Sequence, residues 1–515
     1  MNGAESLVRT LLNGDVNVCF ANPGTSEMHF VSALDRVEGV RCILGLFEGV
    51  VTGAADGYYR MAGKPAATLL HLGPGLGNGL ANLHNAKKAR SGIVNIVGEH
   101  ASYHIKHDAP LTADIEGVAR PMSDWVKTSP SSKTIAADGA LAVQVARTAP
   151  GQIATLILPA DTAWGDADGP AQALEVPAPV TVSGDAITAG AKALKNGTSA
   201  ALLLGNAALR GKALEWAGRI AAKTGCALIS EFGNARCERG AGRAPVRFLP
   251  FVVDNALAML NDTRQLVLVG AKSPVSFFAY PGKPSVLVPE GCEVINVAQA
   301  EADLEGALEA LAGQLGARDA APLAHASTYS SALPTGAITP EGLGVLLNIM
   351  LPENAIVMDE AVTSGRAFTG ATMGARPHDW LNIMGGSIGW GLAAAVGAAI
   401  GAPGRKVVAL EGDGSAMYTQ QALWTMARES LDVTVLIFAN RAYKILVNEL
   451  ANVGGGTPGR NAMSMLTLGN PTVDWVSIAK GYGVASSRAT NLDELAREFK
   501  RGLDTPGPYL VEVVM

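Results

Sequence analysis

Short apolar runs alternate with longer helical patterns along the first third of the chain. The runs are too short for helices and are rich in β-branched residues, which is typical of buried strands. They lie at positions 16–20, 41–47, 67–71, 93–98 and 153–158. Strands that alternate with helices favour a parallel sheet whose two faces are covered by helices. The pattern therefore predicts an α/β unit at the start of the chain.

The same alternation occurs twice more, and two segments of loop composition separate the units. Residues 166–182 are rich in Pro, Gly, Ala and Asp, and residues 318–338 are rich in Ala, Pro, Ser and Thr. The further predicted strands lie at 200–204, 227–230, 265–269, 285–288 and 293–296, and at 355–358, 406–410, 433–438 and 509–513. We predict an α/β protein of three parallel-sheet domains, at 1–165, 183–318 and 336–515.

Composition excludes some classes of function. The 515 residues are 48% hydrophobic and 17% charged, with a net charge of −6. No long basic run indicates a nucleic-acid partner, and no apolar run has the length of a membrane span. The cysteines form no CxxC pair, and the N-terminus lacks the features of a signal peptide. We expect a cytoplasmic protein that binds neither nucleic acid nor membrane.

A polar turn at the end of one predicted strand carries the clearest chemistry. Strand 406–410 runs into a Gly-Asp-Gly-Ser turn, and strand 433–438 is followed by an asparagine. Parallel sheets bind ligands at the carboxyl ends of their strands, and glycines let the backbone approach a phosphate. One carboxylate, one amide oxygen and a carbonyl suit Mg²⁺, which shares its oxygens with phosphates. The predicted groups are Asp413 and Asn440 for the metal, and Gly412, Gly414 and Ser415 for a diphosphate.

The spacing between this turn and the asparagine resembles the cofactor motif of thiamine-diphosphate enzymes. The resemblance implies thiamine diphosphate and Mg²⁺ as cofactors, with the Ala442 carbonyl as a third metal ligand and Tyr443 beside the site. One position departs from the family pattern, because Arg441 stands where a second asparagine is usual. Thr363, which follows the predicted strand 355–358, resembles a residue that contacts the diphosphate.

Two further segments resemble the parts of this family that hold the pyrimidine ring of the cofactor. Glu48 follows an apolar strand and begins a helix of small residues, like the family's catalytic glutamate. A carboxyl group in a dry place stays protonated, and its hydrogen bond to the ring favours the reactive imino tautomer. In the loop 384–391, Ile388 would wedge between the cofactor rings and the Gly386 carbonyl would accept from the amino group. Because this branch builds each site from two subunits, the resemblance implies a homodimer or homotetramer.

Residues of the first domain indicate the branch of the family. The segments around Thr25 and His71 resemble benzoylformate decarboxylases, which implies that Thr25 meets the substrate and that His71 is an acid–base residue. The segment 100–108 resembles the paired histidines of pyruvate decarboxylases and adds His107, since imidazoles move protons near neutral pH. The resemblance implies non-oxidative decarboxylation of a small 2-oxo acid through a carbanion at the cofactor. The product is a free aldehyde or its adduct with a second carbonyl compound.

Three alternatives stay open. An acetolactate synthase would join two pyruvates with loss of CO₂, but the chain is short for that branch. The unit 183–318 has no FAD signature, so we expect no bound FAD, and it also lacks the second active-site histidine of benzoylformate decarboxylases. A catalytically silent regulatory subunit is disfavoured because Glu48 and Asp413 are both present. A nucleotide-binding enzyme is disfavoured because no GxGxxG follows a predicted strand.

Overall fold

The computed structural model describes residues 1–328, 330 and 332–515. The strands of its first sheet are β1 (Val18–Asn22), β2 (Arg41–Leu44), β3 (Ala66–Leu70), β4 (Ile93–Glu99), β5 (Trp125–Thr128) and β6 (Ile153–Pro159). They are parallel, in the order β2-β1-β3-β4-β6-β5. All except β5 coincide with predicted apolar runs. Strand β5 lies at the edge of the sheet, where a half-exposed Trp-Val-Lys-Thr sequence suffices.

Helices cover the first sheet on both sides. They are α1 (Gly3–Asn13), α2 (Met28–Arg36), α3 (Glu48–Ala62), α4 (Leu72–Ala89), α5 (Ile115–Ala119), α6 (Ile135–Arg147) and α7 (Ala160–Trp164). Short 3-10 turns at Thr25–Glu27 and Ile105–His107 come after β1 and β4. Helices α3 and α4 begin shortly after β2 and β3. The candidate residues of this unit therefore all follow the carboxyl ends of its strands, at one edge of the sheet.

The middle of the chain forms a second parallel sheet of order β10-β8-β7-β11-β12. The strands of this region are β7 (Ala200–Leu204), β8 (Ala227–Ser230), β9 (Cys237–Arg239), β10 (Arg247–Phe248), β11 (Gln265–Val269) and β12 (Glu293–Ala298). Its helices are α8 (Gly184–Leu194), α9 (Gly211–Thr224), α10 (Val253–Leu260) and α11 (Leu304–Gln314). The predicted strand 285–288 is wrong. Exposed Val286 makes only an isolated bridge to Val275, because the segment lies outside the sheet.

The third sheet has the order β17-β18-β16-β15-β13-β14-β9. Its remaining strands are β13 (Ile356–Glu360), β14 (His378–Asn382), β15 (Val407–Gly412), β16 (Val433–Ala439), β17 (Ala485–Ala489) and β18 (Tyr509–Val514). Its helices are α12 (Pro340–Met350), α13 (Phe368–Ala371), α14 (Gly391–Gly401), α15 (Asp413–Ala416), α16 (Ala422–Arg428), α17 (Lys444–Asn452), α18 (Arg460–Leu466), α19 (Trp475–Gly481) and α20 (Leu492–Asp504). Strand β9 is antiparallel to β14, so the middle of the chain completes this sheet. Among the residues described, no helix is long and apolar enough to cross a membrane.

Helices α3 and α14 pack so closely that glycine is required on both. A Cβ on Gly57 would overlap the backbone of Ala394, and a Cβ on Gly397 would overlap the backbone of Ala54. Larger side chains would therefore push the helices apart, in a core where cavities and overlaps are both costly. This contact sets the helix that begins with Glu48 against the helix that follows the loop 384–391.

A buried ion pair on α3 joins the three units. Arg60 donates to both carboxylate oxygens of Asp56, at 2.8 and 2.6 Å, and the two side chains are 2% and 0% exposed. The same guanidinium donates to the carbonyls of Asn382 at 2.7 Å and Ala235 at 3.4 Å. The indole of Trp390 donates to Asp56 at 2.7 Å. The charges of Asp56 and Arg60 thus compensate each other, and their other hydrogen bonds hold the second and third units to the first.

Replacing Arg60 by Ala should lower the free energy of unfolding by about 3–5 kcal/mol, because the Asp56 carboxylate would stay buried without its cation. Chemical denaturation followed by tryptophan fluorescence measures this loss. Arg120 and Glu116 have the same helical spacing, but their side chains are 65% and 38% exposed. Arg120→Ala should cost at most about 1 kcal/mol. If both variants lost the same free energy of unfolding, burial would not be what makes the Asp56–Arg60 pair strong.

Acid should weaken the fold through His378 on β14. Burial lowers the pKa of its imidazole to about 4, although the hydrogen bond to the Arg376 carbonyl opposes the shift. Between the ordinary pKa of 6.5 and pH 4, the unfolded chain binds a proton that the folded chain excludes. The free energy of unfolding should therefore fall by up to about 1.4 kcal/mol per pH unit on acidification in this window.

Denaturation curves between pH 7 and 4 test this contribution. His378→Asn retains a polar group of similar shape but does not titrate, so it should flatten the pH dependence. His104 is exposed, and His104→Asn should leave the slope as it is in the wild type. A wild-type slope in His378→Asn would assign the acid sensitivity to other groups.

Candidate active site

The carboxyl ends of the adjacent strands β15 and β16 bring the predicted metal ligands together. The Asp413 carboxylate accepts hydrogen bonds from the backbone N–H groups of Gly414 at 2.9 Å and Arg441 at 2.7 Å. Asn440 and Ala442 flank Arg441, and the Asn440 side chain accepts from the N–H of Ala442 at 3.0 Å. Burial raises the pKa of Asp413, while the two N–H groups lower it. A carboxylate, an amide oxygen and a carbonyl are therefore available at one point of the sheet edge.

At Arg441 the backbone conformation, and not the side chain, determines which residue types fit. Its φ of 57° lies in the left-handed region, which asparagine tolerates better than most residues. This preference gives a physical reason for the asparagine that is usual in the resembling family. The Arg441 side chain is exposed, and its charge also lowers the pKa of Asp413.

The turn after β15 contains the groups that the sequence predicts for a diphosphate. A Cβ on Gly414 would lie 2.6 Å from the ring of Tyr443, so glycine is required there. The Ser415 hydroxyl lies 3.4 Å from the Glu360 carbonyl, at the end of the neighbouring strand β13, and Thr363 lies in the turn that follows. Within the described ranges, no group of three or more His, Cys, Asp and Glu side chains is arranged for a metal. A site with a single carboxylate fits Mg²⁺, which takes its other oxygens from amides, carbonyls and phosphates.

Glu48 begins α3 with a buried carboxyl group that is 8% exposed. One oxygen accepts a hydrogen bond from the Asn78 amide at 2.9 Å. The other faces Gly75, where a Cβ would lie 3.3 Å away. The environment agrees with the expectation of a carboxyl group in a dry place at a strand end.

His71 is held by Glu27, a residue that the sequence analysis did not single out. The Nδ1 atom of His71 lies 2.9 Å from a carboxylate oxygen of Glu27, whose side chain is fully buried. The same carboxylate accepts from the N–H of Gly24 at 2.7 Å and from the Ser26 hydroxyl. Thr25 lies in this turn and is exposed. In the sequence, the one indication of the His71–Glu27 pair is that Glu27 lies two residues after Thr25.

His107 lies apart from this pair. Its ring is 5.7 Å from the ring of His104, which is 5.5 Å from that of His100. His107 is exposed, and across the described part of the chain no hydrogen bond or ring contact joins it to His71. Its role as a proton carrier stays a prediction.

A buried pair of carboxyl groups fixes the end of the loop 384–391. Glu360 accepts from the N–H groups of Gly389, Trp390 and Gly391, at 2.8, 3.3 and 2.6 Å. Glu411 lies opposite Glu360 on the neighbouring strand β15. Burial raises the pKa of Glu360 to about 7, and burial together with the charge of Glu360 raises the pKa of Glu411 well above its ordinary value. Burial of the two acids therefore disfavours their charged forms beside the start of α14.

The loop 384–391 meets the start of α3 within one chain. The Asn82 amide donates to the carbonyls of Gly49 at 2.8 Å and Gly389 at 3.1 Å. Phe277 of the middle unit covers Gly386, where a Cβ would lie 2.8 Å from its ring. The structure thus brings elements of all three units to the loop that contains Gly386 and Ile388.

Comparison with known proteins shows the family of the chain. Residues 1–118 match the N-terminal TPP binding domain of thiamine pyrophosphate enzymes, and residues 366–513 match the C-terminal TPP binding domain. The chain is 50% identical over 516 residues to "Putative acetolactate synthase large subunit IlvX" of Mycobacterium tuberculosis, with 100% of this chain and 99% of the relative covered. It is 30% identical over 527 residues to benzoylformate decarboxylase of Pseudomonas aeruginosa, with 96% and 95% covered.

A solved structure extends the agreement to the whole fold. The thiamine diphosphate-dependent 4-hydroxybenzoylformate decarboxylase of Rhodococcus jostii RHA1 superposes with a TM-score of 0.88 at 26% identity, covering 100% of this chain and 99% of that chain. The predicted α/β fold and the predicted family are confirmed. The chain belongs to the family of thiamine-diphosphate-dependent decarboxylases and acetolactate synthases.

Proposed function

We propose that this enzyme decarboxylates a small 2-oxo acid and releases an aldehyde. The observation that carries the proposal is the His71–Glu27 pair. Release of an aldehyde requires a proton on the carbon that lost CO₂, and an imidazole held by a carboxylate can deliver one near neutral pH. Because Nδ1 of His71 faces Glu27, Nε2 is the atom that would exchange protons with substrate. Thr25 would contact the substrate beside it, and His107 would be a second proton carrier.

The cofactor site is assigned to the strand ends of the first and third units. When bound, thiamine diphosphate supplies a nucleophilic carbon and an electron sink for the loss of CO₂. Glu48 would hold a proton at the pyrimidine nitrogen, and Gly386 and Ile388 would fix the bend between the rings. The proposed ligands are Asp413, Asn440 and the Ala442 carbonyl for Mg²⁺, and Gly412, Gly414, Ser415, Thr363 and Tyr443 around the diphosphate.

The name of the relative at 50% identity favours a second candidate, the ligation of two 2-oxo acids with loss of one CO₂. In that reaction a second carbonyl compound, rather than a proton, captures the activated carbon. An efficient proton donor next to the reacting carbon would compete with ligation. The His71–Glu27 pair therefore supports decarboxylation with aldehyde release over ligation.

The assembly and the location of the enzyme are also proposals. The helices α17 and α18 are described in full and neither contains a buried residue. This supports a surface that a second copy covers in a homodimer or homotetramer. The cysteines are free thiols, which supports a reducing, cytoplasmic compartment.

With thiamine diphosphate and Mg²⁺ supplied, the purified enzyme should convert at least one member of a panel of 2-oxo acids into equal amounts of CO₂ and aldehyde. His71→Ala should lower kcat/KM for aldehyde release about 10²- to 10⁴-fold, the usual contribution of a general acid. Glu27→Gln should lower it less, because the imidazole remains. His104→Ala is the exposed control and should be unchanged. CO₂ accompanied mainly by a ligation product would instead support the second candidate.

Two inactive variants test whether the site is shared between subunits. Glu48→Gln and Asp413→Ala should each be inactive alone. If a site takes Glu48 from one subunit and Asp413 from another, half of the randomly mixed dimers have one intact site, and about a quarter of wild-type turnover should return. Coexpression provides the hybrids, and native mass spectrometry counts them. Hybrids without activity would show that both residues of a site come from one chain.

A further inference from the structure

Asn85 on α4 binds the backbone of a loop that belongs to the third unit. Its side-chain oxygen accepts from the N–H groups of Gly385 at 3.1 Å and Ser387 at 3.2 Å, and its amide nitrogen donates to the Ser387 carbonyl at 2.7 Å. The side chain is fully buried. A planar amide that donates and accepts at once fixes both the distance and the rotation of the loop. Three hydrogen bonds from one residue of the first unit thus determine the path of the loop.

Asn82 links Asn85 to the start of α3 and to the end of the loop. It lies one turn before Asn85 on the same face of α4, and its oxygen accepts from the Asn85 amide at 2.9 Å. Its own amide donates to the carbonyls of Gly49 and Gly389. The two asparagines therefore connect the residue after Glu48 to the loop on both sides of Ile388.

Three further polar groups of the loop also have partners. Glu360 accepts from the N–H of Gly389, the Thr419 hydroxyl donates to the Gly389 carbonyl at 2.9 Å, and the His84 ring lies 3.1 Å from the Gly385 carbonyl. In the described ranges the Gly386 carbonyl accepts no hydrogen bond. The loop is thus anchored before and after a carbonyl group that is left available.

Glycine makes these anchors necessary. Gly386 and Gly389 have φ values of 72° and 95°, and such residues lose much conformational freedom when they are fixed. A loop with positive-φ glycines on either side of Ile388 has many accessible shapes. Only a set of hydrogen bonds from outside the loop selects one of them.

We propose that Asn85, together with Asn82, is a positioning residue that fixes the loop Gly385–Gly389 against the start of α3 and thereby orients the Gly386 carbonyl and Ile388 towards the cofactor. The inference rests on the proposed roles of Gly386 and Ile388. Asn85 need not touch the cofactor or the substrate. Its effect is exerted on the bend of the bound cofactor and on the affinity for it.

The test compares Asn85→Ala with Asn95→Ala. Asn95 is a fully buried asparagine on β4 whose partners are Thr68 at 2.6 Å and Thr155 at 3.0 Å, within the first sheet. Both variants lose buried hydrogen bonds, so both should have lower melting temperatures. Only Asn85→Ala should change the loop. Thiamine diphosphate binding with Mg²⁺ is measured by quenching of tryptophan fluorescence, and the shape of the bound cofactor by near-ultraviolet circular dichroism.

Asn85→Ala should raise the dissociation constant for thiamine diphosphate at least about tenfold, since two N–H groups and one carbonyl lose their partner. At saturating cofactor its dichroism band should be weaker than that of the wild type. Asn95→Ala should keep the wild-type dissociation constant and band. A folded Asn85→Ala protein with wild-type affinity and band would overturn the proposal, as would an equal loss of affinity in Asn95→Ala.

If Asn85→Ala does not fold, His84→Ala provides a second test of the proposal. His84 is half-buried and contacts the same loop through the Gly385 carbonyl. Loss of this one contact should raise the dissociation constant about threefold, and an unchanged constant would overturn the proposal. A wild-type protein that binds no thiamine diphosphate in this assay would overturn the proposed function itself. Binding by the wild type with no effect of the loop variants would overturn the positioning role alone.

Discussion

The buried Asp56–Arg60 pair is the interaction on which the arrangement of the three units depends. A charge removed from water must be matched at short range, so each partner restricts its neighbours. Asp56 accepts from the Trp390 indole at the start of α14, and Arg60 donates to the Asn382 carbonyl at the end of β14. Both neighbours belong to the third unit. Helix α3 therefore cannot slide or rotate against that unit without leaving a buried charge unpaired.

The same helix carries the candidate catalytic glutamate. Glu48 begins α3 about two turns before Asp56, and Gly57 and Gly397 let α3 touch α14 along their backbones. Within one chain, the distance between Glu48 and the loop 384–391 is thus set by helix packing, and not by the loop itself. Hydrogen bonds from α4 and β13 then need only to select the shape of the loop. The packing of the units and the shape of the loop consequently depend on one set of buried contacts.

Much of this could be predicted from the sequence, because buried parallel strands are continuous apolar runs. Strands β15 and β16 are such runs and end at one edge of the sheet, so the sequence alone predicts that Asp413 lies near Asn440. Strand β14 was missed because its Asp379 is polar, yet that residue is buried in ion pairs with Arg236 and Arg405. The asparagines of α4 and the carboxyl pair at Glu360 were missed for a related reason. Their partners lie far away along the chain, and one sequence does not display such pairings.

Arg441 demonstrates the difference between a motif and a conformation. A motif describes side chains, whereas this position acts through a left-handed backbone whose N–H donates to Asp413. Arginine adopts that conformation at a cost of roughly 1 kcal/mol relative to its preferred regions. Asn440 and Ala442 remain on either side of it, so the groups that would hold the metal are unchanged. What differs is one exposed positive charge beside the strand ends, and a positive field there favours the approach of an anionic cofactor or substrate. The departure from the family pattern therefore keeps the left-handed backbone conformation and alters the charge beside the strand ends.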